Sequence, residues 1–196
     1  CKLNFAESSA LGKELLLRGH ERTLANEVPD VCVVNTCSVT DAADHKDRQM
    51  INQLHRKFPN ATIVVTGCYA QLQPQQISII PGVDYVLGQN EKYDIPALVE
   101  EIESIRVAAI REVETFHSVR SGNDRTRCFI KVQDGCNYFC TYCTIPYARG
   151  KSRNPKIEDV LYNAQEAINQ GAKELILTGV NIGDFGRSTG ETFLDL

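Results

Sequence analysis

Residues 30–37 read DVCVVNTC and residues 62–68 read TIVVTGC. Each is a short apolar run rich in β-branched residues, too short for a helix, and each closes on a cysteine; together they predict two buried strands. Between them Ala43, Met50, Ile51 and Leu54 recur on one helical face, Thr40 or Asp41 can cap the start, and Asp44 stands four residues before Arg48 as an expected ion pair. Strand, helix, strand is a βαβ unit. A third run, VDYVLG (83–88), continues the alternation, with one helix expected after Asn4, inner face Leu11, Leu15 and Leu16, and another from about Tyr93 to Glu103. The expected class is α/β, with a parallel sheet covered on both faces over residues 1–105.

Residues 106–126 mix charges with RSGND and read as a linker, with a short strand expected within IRVAAIREV (105–113). A second α/β segment then begins. RCFIKVQ (127–133) is a predicted strand, Asn154 and Pro155 an N-cap and first-turn proline, and Ile157, Val160, Leu161, Ala164, Ala167 and Ile168 repeat at helical spacing up to Gly171, the expected C-terminal stop. ELILTG (174–179) is the next strand, and residues 127–196 hold too little sequence to close a barrel. Cys1 stands directly before KLNFAES with no strand ahead of the first helix, so the chain is expected to be a piece of a longer protein.

The 196 residues are 42% apolar with a net charge of −4, which fits a folded core and argues against the chain as a whole being drawn to nucleic acid or membrane. No apolar run approaches the ~18 residues that cross a bilayer, and no basic segment followed by an apolar one opens the chain, so the expected location is cytoplasmic. The basic residues are uneven. Between positions 120 and 153 stand Arg120, Arg125, Arg127, Lys131, Arg149, Lys151 and Arg153 against Asp124 and Asp134, a local +5. This segment is either a phosphate-facing patch, with Arg149 its best candidate, or a solvated charged face.

The chemistry is carried by cysteine. Cys136, Cys140 and Cys143 stand in DGCNYFCTYCTIPYARG (134–150) without a fourth nearby. Four thiolates close a four-iron cluster, and three leave one iron free for substrate or cofactor. Zinc is the rival reading, but a structural site needs a fourth ligand, and His20, His45, His55 and His117 are distant in sequence. Disulfides are the rival for all eight cysteines, against which stand the chain length, the local clustering and the absence of a signal peptide. Cys37 and Cys68 terminate predicted strands, and Cys1 would do so if a strand precedes it. The carboxyl ends of parallel strands share one edge, where ligands bind, so these three are expected to converge. Cys32 and Cys128, within strands, are expected to be buried hydrophobes.

The C-x3-C-x2-C spacing resembles the radical S-adenosylmethionine enzymes. With CKLNFAES, VVNTCSVTDAADHKDRQ, VVTGCYAQL, GVDYVLG, VQDGCNYFCTYCTIPYARGKSRN and LTGVNIGDFG, the chain resembles their methylthiotransferase family from end to end. The resemblance implies a flavodoxin-like N-terminal domain followed by the start of a radical (β/α) partial barrel. It implies two [4Fe-4S] clusters, one on Cys136, Cys140 and Cys143 and a second, carrying the transferred sulfur, on Cys1, Cys37 and Cys68. S-adenosylmethionine would chelate the free iron of the first and yield a 5′-deoxyadenosyl radical on one-electron cleavage, while a second molecule methylates the sulfur. Tyr142 would lie against the adenine, unless it is a core aromatic. Thr178, Gly179 and Asn181 would contact the methionine moiety, unless they merely form the turn after a strand.

The implied partners are the anticodon loop of transfer RNA and a reductant protein, with no membrane. The loop text resembles most the branch acting on N6-threonylcarbamoyladenosine. Branches acting on N6-isopentenyladenosine or on an aspartate of a ribosomal protein are the alternatives, and a noncatalytic iron–sulfur or zinc module is the alternative of another class.

Overall fold

A computed structural model describes residues 2–98, 104–122 and 127–196. The helix α1 spans Lys2–Leu17, and strands β1 (Val31–Thr36), β2 (Thr62–Gly67), β3 (Tyr85–Leu87) and β4 (Ile105–Arg106) form a sheet in that order, every pair parallel. Between them run α2 (Asp41–Lys57), the short α3 (Cys68–Leu72) and α4 (Pro74–Ser78), a 3-10 turn at Glu91–Asp94 and α5 (Ile95–Leu98). A second, two-stranded parallel sheet pairs β5 (Arg127–Lys131) with β6 (Glu174–Thr178), after α6 (Ile145–Arg149) and α7 (Ile157–Asn169). No helix among the described residues is long and apolar enough to cross a membrane.

Alternation along β2 builds both layers. Ile63 and Val65 face Ile51 of α2 together with Val34, Ile77 and Val86, while Val64 faces the other way, onto Leu11 of α1, Leu87 and Ile95. The helices therefore cover both faces, as the continuous apolar strands require. Each fully buried aliphatic side chain contributes about 1.5–3 kcal/mol by leaving water. In the second sheet Cys128, Ile130 and Val132 pack on Val160 and Ala167 of α7. Phe129 points oppositely, onto Phe5 and Ala6 of α1, the two phenyl rings meeting edge to face at 5.6 Å. One helix thus serves as a layer for both sheets.

That double duty explains where α1 departs from expectation. It starts at Lys2, ahead of Asn4, and Leu16 is 54% exposed, because the buried residues are Leu3, Asn4, Ala6, Glu7 and Leu11, two of them polar. Thr40 caps α2 by accepting from the Ala43 N–H, as expected, but Arg48 does not pair with Asp44 and instead donates to the Tyr69 hydroxyl at 2.6 Å. The helix expected from Tyr93 to Glu103 is a 3-10 turn and then a single helical turn as far as Leu98; its remainder, residues 99–103, lies outside the described residues. Only Ile105 and Arg106 of the expected strand at 105–113 form one, and they extend the first sheet.

Helix α7 begins two residues later than Pro155, with Lys156 at its N-cap. The Asn154 amide is occupied with the Pro155 carbonyl and Thr189, and Glu191, from far along the chain, accepts the free Ile157 N–H at 3.1 Å. The cap is supplied by tertiary contact, which local sequence cannot announce. Gly171 does take the left-handed conformation after the helix, with φ +90°. Cys128 is buried, and Cys32 is half-buried against the core of the first sheet, where desolvation pushes its thiol pKa up.

Candidate functional site

Register brings two of the N-terminal cysteines side by side. Thr36 pairs with Gly67, so Cys37 and Cys68 leave adjacent strands at the same carboxyl edge. Gly67 is required there: its φ is +99°, and a Cβ would stand 2.3 Å from the Thr36 carbonyl oxygen. Cys68 is buried and Cys37 half-buried, its N–H held by Asp47 at 2.8 Å. Burial, against the bond from the Cys37 N–H, raises the Asp47 carboxyl pKa. Cys1 lies outside the described residues.

The loop between β5 and α6 carries the other three. Its base is fixed by the Cys136 N–H on the Gly150 carbonyl (3.0 Å) and a turn from Cys143 N–H to Cys140 O (2.9 Å). Phe139 takes a left-handed φ of 48° between them. The thiols of Cys136 and Cys143 are half-buried and that of Cys140 is exposed. Tyr142 is 91% exposed, which removes the core-aromatic reading.

The two cysteine-bearing loops touch. Thr144 Oγ1, next to Cys143, donates to the carbonyl of Ser38, next to Cys37, at 3.1 Å.

The strand end expected to meet the methionine moiety is clamped to the same loop. Gln133 Oε1 accepts from the N–H groups of Val180 and Asn181, both at 2.8 Å, and its Nε2 donates to the carbonyls of Asp134 and Gly135. Gly179 lies flat against Gln133, where a Cβ would come within 2.9 Å of its Cβ, while Thr178 is buried. The Asn181 amide donates to Asp184, which also accepts from Tyr138 of the cysteine loop at 3.0 Å.

Behind both loops lies a buried charge network. The Glu7 carboxylate accepts from Lys92 (2.5 Å), Lys131 (3.4 Å) and both terminal nitrogens of Arg149 (3.1 and 3.2 Å). Asp134 accepts from Arg149 at 2.9 Å, Lys131 at 3.4 Å and Arg153 at 3.5 Å. Burial alone would raise both carboxyl pKa values, but the surrounding cations win: Glu7 is held well below the usual carboxylate range and Asp134 down to about 2. Burial would lower Arg149, yet Glu7, Asp134 and Cys68 raise it well above its ordinary value. Arg149 is therefore not the phosphate-facing residue expected from its place beside the loop, because it is 2% exposed and committed to buried carboxylates. Lys131 is equally enclosed, and Arg127 spends its charge on Glu174 at 2.8 Å.

Sequence reasoning missed Glu7, Gln89, Lys92, Gln133 and Asp184. The available signal was a carboxylate at Glu7 on a helical face formed with Leu3, Asn4, Ala6 and Leu11.

Residues 1–88 match the family described as "Uncharacterized protein family UPF0004", and residues 130–191 match the radical SAM superfamily. The threonylcarbamoyladenosine tRNA methylthiotransferase MtaB of Bacillus subtilis (strain 168) is 39% identical over 193 residues, covering 95% of this chain and 43% of that protein. Over nearly its whole length the chain is similar to radical S-adenosylmethionine methylthiotransferases. The MtaB protein of Aquifex aeolicus is 36% identical over 97% of this chain and 48% of its own length. A tRNA-2-methylthio-N(6)-dimethylallyladenosine synthase of Clostridium perfringens is 31% identical over 97% and 45%. The chain spans less than half the length of these curated relatives. The superfamily works with S-adenosylmethionine and an iron–sulfur cluster. Among the described residues no three cysteine, histidine or acidic side chains are gathered to share one metal ion. A four-iron cluster asks something different, one thiolate on each of several irons, and the free thiols of Cys136, Cys140 and Cys143 on one exposed loop are a donor set of that kind.

Proposed function

We propose that the protein carrying this chain is a transfer-RNA methylthiotransferase that replaces the C2 hydrogen of N6-threonylcarbamoyladenosine, beside the anticodon, with a methylthio group. The observation that carries the reading is the Thr144–Ser38 contact, which supports two cysteine groups facing one space. Cys136, Cys140 and Cys143 would hold one [4Fe-4S] cluster and Cys1, Cys37 and Cys68 a second. When bound, the first cluster supplies the electron that cleaves S-adenosylmethionine and the second presents the sulfur. The chain's own part is positional. Gln133 fixes the backbone of Val180 and Asn181 against the cysteine loop, Thr178, Gly179 and Asn181 form the edge offered to S-adenosylmethionine, and exposed Tyr142 is free to stack on an adenine.

An anticodon-loop base can be splayed into a pocket between the loops, which suits a chemistry that must reach an aromatic ring carbon. The N6 group is assigned from the branch of the more similar relatives, 36–39% identical, against 31% for the dimethylallyladenosine synthase. Nucleoside mass spectrometry of transfer RNA from the organism with the gene deleted tests it. Loss of 2-methylthio-N6-threonylcarbamoyladenosine is expected. Its persistence, with loss of the methylthio-isopentenyl nucleoside, would transfer the protein to the other branch.

A further inference from the structure

The Cys68 sulfur has a side-chain donor of its own. Gln89 follows β3 at the same carboxyl edge of the sheet, and its Nε2 lies 3.1 Å from Cys68 Sγ with both residues buried. The amide's orientation follows from its other neighbour. Gln89 Oε1 accepts from the Lys92 ammonium, which has only donors to offer, so the NH2 end must face the sulfur. Lys92 is 1% exposed and pinned by Glu7, and the network behind it holds four cations (Lys92, Lys131, Arg149, Arg153) against two carboxylates (Glu7, Asp134). A buried surplus of positive charge is costly unless an anion stands beside it.

We propose that Gln89 and Lys92 are positioning residues for the N-terminal site, Gln89 as a fixed hydrogen-bond donor to the Cys68 sulfur and Lys92 as the cation that orients it and offsets the charge of an anionic thiolate cluster. The inference rests on the two-cluster reading above. Hydrogen bonds to ligand sulfur and nearby net charge are what set the reduction potential of such clusters. Both stabilise the more negative, reduced state, so both raise the potential. Gln89 and Lys92 therefore make the N-terminal cluster easier to reduce than its thiolates alone would.

The test uses the full-length protein with Cys136, Cys140 and Cys143 replaced by alanine, reconstituted anaerobically so that only the N-terminal site can load. Iron is counted, and the potential is read by titration with dithionite followed by electron paramagnetic resonance. Gln89→Leu is expected to shift the potential to more negative values, Gln89→Glu further, and Lys92→Met likewise, while Lys92→Arg stays close to the parent. Gln89→Glu keeps the size of the side chain and so covers the case in which Gln89→Leu does not fold. Loaded variants whose potentials match the parent would overturn the inference alone. A folded parent that takes up no iron would overturn the two-cluster reading beneath it.

Discussion

Arg149 meets Glu7 through two contacts of 3.1 and 3.2 Å, although 142 positions separate them in the chain. Both side chains are buried, and removing Arg149 strips Glu7, Asp134 and Asn4 of buried hydrogen bonds at once, although Lys92, Lys131 and Arg153 still offset the carboxylate charge. Arg149→Met is expected to cost about 3–5 kcal/mol of stability. Arg149→Lys, which keeps the charge but loses the two-pronged geometry, should cost less. Urea unfolding monitored by circular dichroism measures both. An unchanged midpoint would mean that the network is not closed in solution.

Acid should weaken the fold in two stages. His117 stacks on Tyr93 at 3.8 Å, and burial, with Lys131, Arg153 and Lys92 nearby, lowers its pKa from 6.5 to about 4. The unfolded chain therefore binds a proton that the folded chain refuses, so stability is fully present above pH 6.5 and declines as pH falls towards 4. His117→Gln should flatten the stability profile in that window. Glu7 and Asp134, whose pKa values are depressed, add their loss below the ordinary carboxylate range, Asp134 down to about pH 2. A parallel profile for His117→Gln would contradict the buried neutral imidazole.

Gln133→Leu removes the acceptor of the Val180 and Asn181 N–H groups and the donor to the 134–135 carbonyls together. Weaker S-adenosylmethionine binding by about tenfold, corresponding to one lost net hydrogen bond of about 1.4 kcal/mol, is the expected result. Equilibrium dialysis with the reconstituted protein reads it directly. Iron content should fall less than S-adenosylmethionine binding, since Cys136 keeps its own bond to the Gly150 carbonyl when the Gln133 bonds to the 134–135 carbonyls are lost.

Gly135 sits one residue before Cys136 with φ +69°, and a Cβ there would stand 2.0 Å from the Lys151 carbonyl oxygen. Gly135→Ala cannot be absorbed by a side-chain shift, because the clash is with backbone. It should displace the cysteine loop and lower the iron bound there. Gly171→Ala is the control, with φ +90° but nothing within 4 Å of the added atom, so it should cost only about 1 kcal/mol of backbone strain and no iron.

The strands were legible because burial on both faces leaves a plain signature: Val33, Val34, Val64 and Val65 need no partner to be recognised as interior. The cysteines were legible by spacing, and the adjacency of Cys37 and Cys68 by the rule that parallel strands end together. The network was not. Glu7 alone looks like one solvated acid among many, and Arg149 looks like a surface cation until Glu7 and Asp134 are brought to it. Pairing between distant polar residues leaves no periodicity, so charge counted along the sequence was read as a patch when much of it had been spent inside.

The placement of α1 between the two sheets has a consequence for biogenesis. Glu7 leaves the ribosome before Arg149, so the enclosure around the charge network closes only after Arg149 and Arg153 have emerged. Contacts of such long separation form slowly and late. Until then the loop bearing Cys136 lacks the Arg149–Asp134 contact that anchors its start. Iron–sulfur assembly on the loop bearing Cys136 should therefore follow the folding of this chain and not precede it.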